Sequence, residues 1–280
     1  MRTRSLFLTG LLAGGVMSAA SATQGVSLAS GYTDFTTWTL LGSATAQNDT
    51  PGNGFTYSNL ILTRPNGGGQ AGAGFAPGAI TLDFNQAFSF DFHFFIPVST
   101  RLRGDGLTFT LAGTPGVGSR GSGLGYAGLG TDSVAFAVDT FHFAGEPVSP
   151  SIQILQSGDV RPLAFTATGL GDTIRDPDFQ WRATVSYLPS GNGDNSGLLS
   201  GEILHANLGT FTVTAAVDFS AVGMVDSPVY YGFTASNGLA STTDGHFITS
   251  AVPVPEPGTL LLLMAGLGLV AQAARRGRQV

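Results

Sequence analysis

The chain has no cysteine and no lysine, and only two glutamates, Glu146 and Glu202, precede residue 255. Without cysteine no disulfide can staple the fold, so an apolar core has to hold it together. Without lysine every fixed positive charge is an arginine. Between Thr23 and Val254 seven arginines stand against fifteen aspartates and two glutamates, a net charge of −10. That balance leaves no basic stripe, the electrostatic footprint a nucleic-acid partner requires. It suits oxygen-ligated cations or neutral polar ligands better. Away from the two ends no stretch keeps a 3.6-residue apolar period for ten residues, so helix is a minor component. No internal repeat of fixed period occurs, which excludes a propeller or a solenoid. Nor is there a Gly-x-Ser-x-Gly elbow or a Glu-x-Asp-x-x-Glu strand, so nothing pairs carboxylates or activates a nucleophile for an enzyme.

What the ends do contain is export information. Arg2 and Arg4 precede an apolar run from Leu6 to Met17 and then Ala20-Ser21-Ala22. Basic residues, a short apolar run and small residues in that order form a secretory signal, and cleavage is expected after Ala22. At the other end Pro255-Glu256-Pro257 leads into an apolar run from Leu260 to Ala271 and then Arg275, Arg276 and Arg278. That run is shorter than the roughly 20 residues that cross a bilayer easily, and the arginines beyond it are expected to stay on the cytoplasmic side. The three elements together resemble the PEP-CTERM sorting signal. This resemblance implies passage through the inner membrane of a Gram-negative bacterium, processing by an exosortase-like enzyme, and delivery to the cell surface or extracellular matrix. The alternative is a permanent transmembrane anchor.

Between the ends the pattern is that of strands. Phe88, Phe90, Phe92 and Phe94 alternate with Ser89, Asp91 and His93, and the same period of two recurs in 107–111, 181–187 and 211–215. Val134, Phe136 and Val138 alternate instead with Ala135 and Ala137, as in a strand covered on both faces. About a dozen short strands separated by glycine-rich turns imply an all-β sandwich rather than a barrel, whose lumen would be wide at that strand number. The expected organisation is a signal peptide at 1–22, one sandwich domain at 23–251 and a sorting tail at 252–280. A signal helix and a hydrophobic helix would stand at the two ends, and the Val252-Pro253-Val254-Pro255 stretch would be a stiff linker.

Three blocks of the body resemble the legume (L-type) lectins. They are Gly69–Ala76 with the Phe-rich strand after it; Gly104–Ala112, Gly121–Tyr126 and Val134–Phe141; and Tyr231–Leu239 with His246–Ser250. They follow in the family's order and frame the chain from about Phe35 to Ser250. The resemblance implies an antiparallel, concanavalin-like jelly roll that binds glycans or exopolysaccharide at one end of a sheet. Asp105 matches the family's sugar-binding Asp, and a carboxylate accepts hydrogen bonds from neighbouring sugar hydroxyls. Gly123 is the first choice for the backbone N–H donor, with Gly121 and Ser122 as alternatives; glycine lets a ligand approach the main chain. A phosphate-binding reading of the glycine run fails, since no lysine follows and no helix opens there.

The metal ligands of that family are only partly matched. Asp139 takes the shared Asp position and Phe141 the carbonyl position, but Ala137, Phe143 and Ser151 stand where a Glu, an Asn and a His are expected. Manganese is therefore not expected, whereas a lone calcium ion would need Glu146 to replace a missing Asp. The competing expectation is that Asp139 binds backbone amides of its own loop. With the sugar-binding Asn of that family replaced, Phe143 or His142 would serve the site instead, by stacking on a sugar face.

Overall fold

The computed structural model describes residues 33–49, 57–65, 67–97, 104–175, 180–238 and 244–254. The signal segment and the sorting tail, with Pro255, Glu256, Pro257, Arg275 and Arg276, lie outside them, as do the two expected terminal helices. No helix among the described residues is long and apolar enough to cross a membrane.

Among the described residues fourteen strands run in chain order: β1 Thr39–Gly42, β2 Thr45–Asp49, β3 Tyr57–Thr63, β4 Ala71–Phe75, β5 Phe88–Phe95, β6 Gly106–Ala112 and β7 Ser133–Asp139, followed by β8 Ser151–Gln156, β9 Asp159–Ala167, β10 Trp181–Pro189, β11 Ser196–His205, β12 Gly209–Asp218, β13 Tyr230–Ser236 and β14 His246–Val254. Helix among the described residues is confined to three short 3-10 turns. The strands form two seven-stranded antiparallel sheets, ordered β1-β4-β13-β6-β7-β8-β9 and β12-β11-β10-β5-β14-β3-β2. The protein is an all-β antiparallel sandwich.

The alternation read in the sequence becomes the seam between the sheets. Phe90 and Phe92 of β5 pack on Phe109 of β6 and on Tyr231 and Phe233 of β13, with ring centroids 5.0–5.8 Å apart. Stacked, tilted and edge-on contacts at that separation add to burial alone. The opposite face of β5 is polar: Asp91 pairs with Arg182 and accepts from Thr184, and His93 meets the Ser250 hydroxyl.

β7 is buried along its whole length. Val134, Phe136 and Val138 enter the main core, whereas Ala135 and Ala137 pack with Leu124, Tyr126, Leu129 and Leu155 on the outer face of the sheet. The cover is the glycine-rich segment after residue 120. Tyr126 anchors it: its ring is fully buried, and its hydroxyl sits 3.0 Å from Ser133 Oγ and accepts from the Gly158 N–H. Glycine here lets the chain lie flat on a sheet, so the run is packed structure.

The last strand departs from the expected boundary. β14 continues pairing with β5 through Val254, placing Pro253 opposite Phe90, so the sandwich extends three residues into the expected linker. The physical reason lies on the other side of β14, where pairing with β3 stops at Ile248. Beyond that point no strand among the described residues pairs with β14 on that side, and proline, which lacks an N–H, is tolerated on such an edge.

Candidate functional site

Asp105 is the residue just before β6, flanked by Gly104 at φ +121° and Gly106 at φ +150° and joined to Gly104 by a cis peptide bond. Both neighbours have to be glycine for space as well. A Cβ on Gly104 would stand 2.8 Å from that of Phe141, and one on Gly106 would stand 2.2 Å from the Val138 carbonyl. The Asp105 N–H donates to Ser236 O at 3.0 Å, and its carbonyl accepts from the Thr140 N–H at 2.8 Å and the Thr140 hydroxyl at 3.2 Å. Asp105 is thereby stitched to the end of β13 and to the residue after β7. Its carboxyl group is buried, 2% exposed, and Oδ2 has no hydrogen-bond partner among the described residues. Burial, followed by the nearby charges of Asp139, Glu146 and Asp244, pushes its pKa up to about 7.

The glycine loop reaches the same place. A Cβ on Gly121 would stand 3.9 Å from Asp105 Oδ2 and one on Gly238 would stand 3.7 Å from it, so two bare backbone segments face the unpaired oxygen. Ser236 Oγ ties the loop down by donating to Gly121 O at 2.6 Å. Gly123 is engaged elsewhere, because its N–H donates to Arg120 O inside the 3-10 turn and a Cβ there would meet Ser119. The turn's own bonds use the N–H groups of Gly123 and Leu124, not those of Gly121 and Ser122. Of the three candidate donors, Gly121 is the one whose backbone faces Asp105 Oδ2.

The stretch after β7 brings the remaining candidates. Asp139 sits opposite Gly106 in the β6–β7 ladder. Its Oδ1 accepts from the Phe141 N–H at 3.0 Å and from Ser149 Oγ at 2.9 Å, and its Oδ2 accepts from Gln153 Nε2 at 2.9 Å. Burial outweighs these donors and pushes its pKa up to about 6. Glu146 spends Oε2 on the Phe143 N–H at 2.8 Å, closing a tight turn. His142 is exposed, with Nδ1 2.9 Å from Pro147 O, and Phe143 is 41% exposed with its ring edge-on to Phe141 at 5.0 Å.

These residues do not fit the calcium ion for which Asp139, Phe141 and Glu146 were candidates. Both oxygens of Asp139 are already engaged by donors. The Gln153 amide sits between Asp139 Oδ2 and Ser151 Oγ, donating to each, at 2.9 and 3.0 Å. A neutral donor thus does for the carboxylate what a cation would do. Among the described residues no three His, Cys, Asp or Glu side chains gather as a metal-binding group.

Sequence reasoning missed the support behind Asp105. Arg175 and Asp244 form a buried ion pair, with Asp244 Oδ2 accepting from Arg175 Nε at 2.8 Å and Nη2 at 2.6 Å. The same oxygen accepts the Gly104 N–H at 3.0 Å, and Arg175 Nη2 also donates to Thr140 O at 3.2 Å. One ion pair therefore holds Gly104, which precedes Asp105, and Thr140, which donates to the Asp105 carbonyl. Asn237 extends the brace, accepting the Gln70 N–H on Oδ1 at 2.8 Å and donating through Nδ2 to Asp244 O at 3.2 Å. His246, fully buried, meets Thr63 Oγ1 at 2.7 Å, and burial lowers its pKa to about 4. No short-range motif joins residues 104, 175 and 244, so only the fold could reveal them.

Solved structures share this architecture across most of their length. Lectin I-B4 from Griffonia simplicifolia, in a metal-free form, superposes with a TM-score of 0.61 at 20% identity, covering 78% of this chain and 92% of that one. The fold is that of the legume lectins. Basic winged bean lectin with Tn-antigen gives 0.60 at 21% identity over 77% and 90% of the two chains. The lectin-like defence protein arcelin-5 from Phaseolus vulgaris gives 0.59 at 19% identity over 79% and 92%. Residues 253–279 match the family model of the PEP-CTERM protein-sorting motif. No curated protein sequence matches the chain. This legume-lectin fold thus carries a bacterial-type sorting motif on its last strand's exit.

Proposed function

We propose that the protein is an exported, lectin-like carbohydrate-binding protein of the bacterial cell surface or extracellular matrix. An exosortase-like enzyme reads its tail during a transient stay in the inner membrane of a Gram-negative cell. The observation that supports saccharide binding is Asp105 Oδ2, a buried acceptor with no partner that faces the bare backbone of Gly121 and Gly238. An unsatisfied buried acceptor costs about 1–3 kcal/mol, which a sugar hydroxyl donating to it would recover. Gly121 or Ser122 supplies the N–H, and exposed Phe143 beside His142 offers an apolar face to the ring. No metal takes part in this reading.

A second reading is a matrix protein that uses the shell without a binding site. Burial of the Asp105 carboxyl favours it, because a sugar has to open the rim before it reaches Oδ2. A glycoside hydrolase has less support: Glu202 lies on β11 in one sheet and Glu146 follows β7 in the other. A glycan array probed with the full-length chain in mild detergent decides between lectin and shell. Binding by the wild type that Asp105→Ala abolishes is the expected result; no binding to any glycan supports the shell.

A further inference from the structure

The Asp105 rim does not end at Gly121. A cleft of about 490 Å³ opens beside it, lined by Gly42, Ser43, Gly69, Gln70, Val117 and Arg120 among others. That volume falls inside the range of about 300–1,000 Å³ usual for small-molecule sites. One covalent step and one hydrogen bond connect cleft and rim: Arg120 immediately precedes Gly121 in the chain, and Gly69 in the cleft lining donates its N–H to the Gly238 carbonyl. Gly121 and Gly238 are the same two residues that face Asp105 Oδ2. A ligand long enough to pass Gly121 from Asp105 therefore enters the cleft.

Arg120 is the only charged residue in the lining among the described residues. Arg161, Arg175 and Arg182 are each paired with an aspartate, but Arg120 forms no ion pair among the described residues. It is exposed, and one guanidinium nitrogen, Nη1, donates to Gly69 O at 3.0 Å. That bond anchors the planar group at the cleft and leaves its other donors unspent. A held guanidinium fork matches the two oxygens of a carboxylate or sulfate. Although the body carries net negative charge, exposed charges are screened beyond about 8 Å at physiological salt, so contact chemistry in the cleft decides.

We propose that this cleft is a subsite for an acidic unit of an anionic polysaccharide, with the Arg120 guanidinium holding the carboxylate or sulfate while a neighbouring sugar occupies the Asp105 rim. The inference rests on the saccharide reading of Asp105. It names polyanionic glycan, rather than neutral glycan, as the class bound.

Calorimetric titration of the full-length chain with polygalacturonate, dextran sulfate and neutral dextran tests it. Wild type is expected to prefer an acidic polymer, and Arg120→Gln to weaken that binding roughly tenfold, the loss typical of one charged hydrogen-bonding group. Preference for polygalacturonate assigns the anion as a carboxylate, and preference for dextran sulfate assigns it as a sulfate. If neutral dextran binds as tightly as either polyanion, or if Arg120→Gln binds the polyanions as well as wild type, the subsite is overturned while the Asp105 reading stands. If wild type binds none of the polymers and no glycan on the array, both fall together.

Discussion

Asp105 joins two properties that pull against each other. A carboxyl buried without a donor for Oδ2 suits capture of a hydroxyl but weakens the fold once ionised. In the native state Asp105 and Asp139 keep their protons to about pH 7 and about pH 6, whereas unfolded aspartates release theirs near pH 3.9. The folded chain therefore binds more protons than the unfolded one between these values, and this contribution to stability is lost as pH rises through them. His246 works in the opposite sense. Its folded pKa of about 4 lies below the unfolded value near 6.5, so its contribution is lost as pH falls from the second to the first. Two carboxyls against one imidazole give an expected urea midpoint higher near pH 5.5 than near pH 8. Asp105→Asn removes the buried charge and is expected to gain about 1–3 kcal/mol near pH 8 while losing glycan binding. Equal midpoints at both pH values in wild type would remove the basis for that trade-off.

Among the elements, the pairing of β7 with β11 across the sandwich depends on one missing side chain. A Cβ on Gly201 would stand 2.0 Å from the Phe136 ring, so the ring fills the space that the glycine leaves. Gly201→Ala is expected to destabilise by about 1–3 kcal/mol through overpacking, with Phe136→Leu in the same chain restoring part of the loss. Phe136→Leu alone should also destabilise, so a double-mutant cycle by thermal melting reads the coupling directly. The Arg175–Asp244 pair acts at the same scale by joining the loops before β6 and β14 to the end of β7. Removing one partner leaves a buried unpaired charge, so Arg175→Met is expected to cost about 3–5 kcal/mol, and the double change with Asp244→Asn to cost less than the single one.

For the molecule as a whole, the saturated Asp139 carboxylate predicts a fold whose stability does not respond to calcium. The melting temperature should be the same in excess calcium and in EDTA; a rise with calcium would show that an ion displaces Gln153. The tail makes a separate prediction. Replacing Pro255, Glu256 and Pro257 with alanine should leave the sandwich's melting curve unchanged while the protein accumulates in the membrane fraction instead of reaching the surface. Because β14 remains paired with β5 up to Val254, the sorting motif emerges directly from a strand, and alanine at Pro253 should leave the sheet intact.

The sandwich class was legible because it rests on local periodicity. The Phe-rich strand, the two-sided burial of β7 and the glycine turns each carry their pattern within a few residues, and a period of two states which face goes inward. Asp105 was singled out by the resemblance to the legume lectins, and its nearness to the stretch after Asp139 follows from β6 and β7 lying side by side. Three things depended on contacts between residues far apart in the chain, which no local pattern encodes. The Gly123 N–H is spent within its own turn, while Gly121 is the residue that reaches Asp105. Gln153 and Ser149 satisfy the carboxylate that a lone calcium ion would have needed. Arg175 and Asp244, 69 residues apart, meet behind the rim. The sequence by itself determined which faces are apolar and hence that two sheets stack, because burial responds to side-chain alternation. Only the tertiary structure decided which buried polar atoms are paired and which, Asp105 Oδ2 among them, are not, because hydrogen-bond satisfaction is a property of neighbours in space.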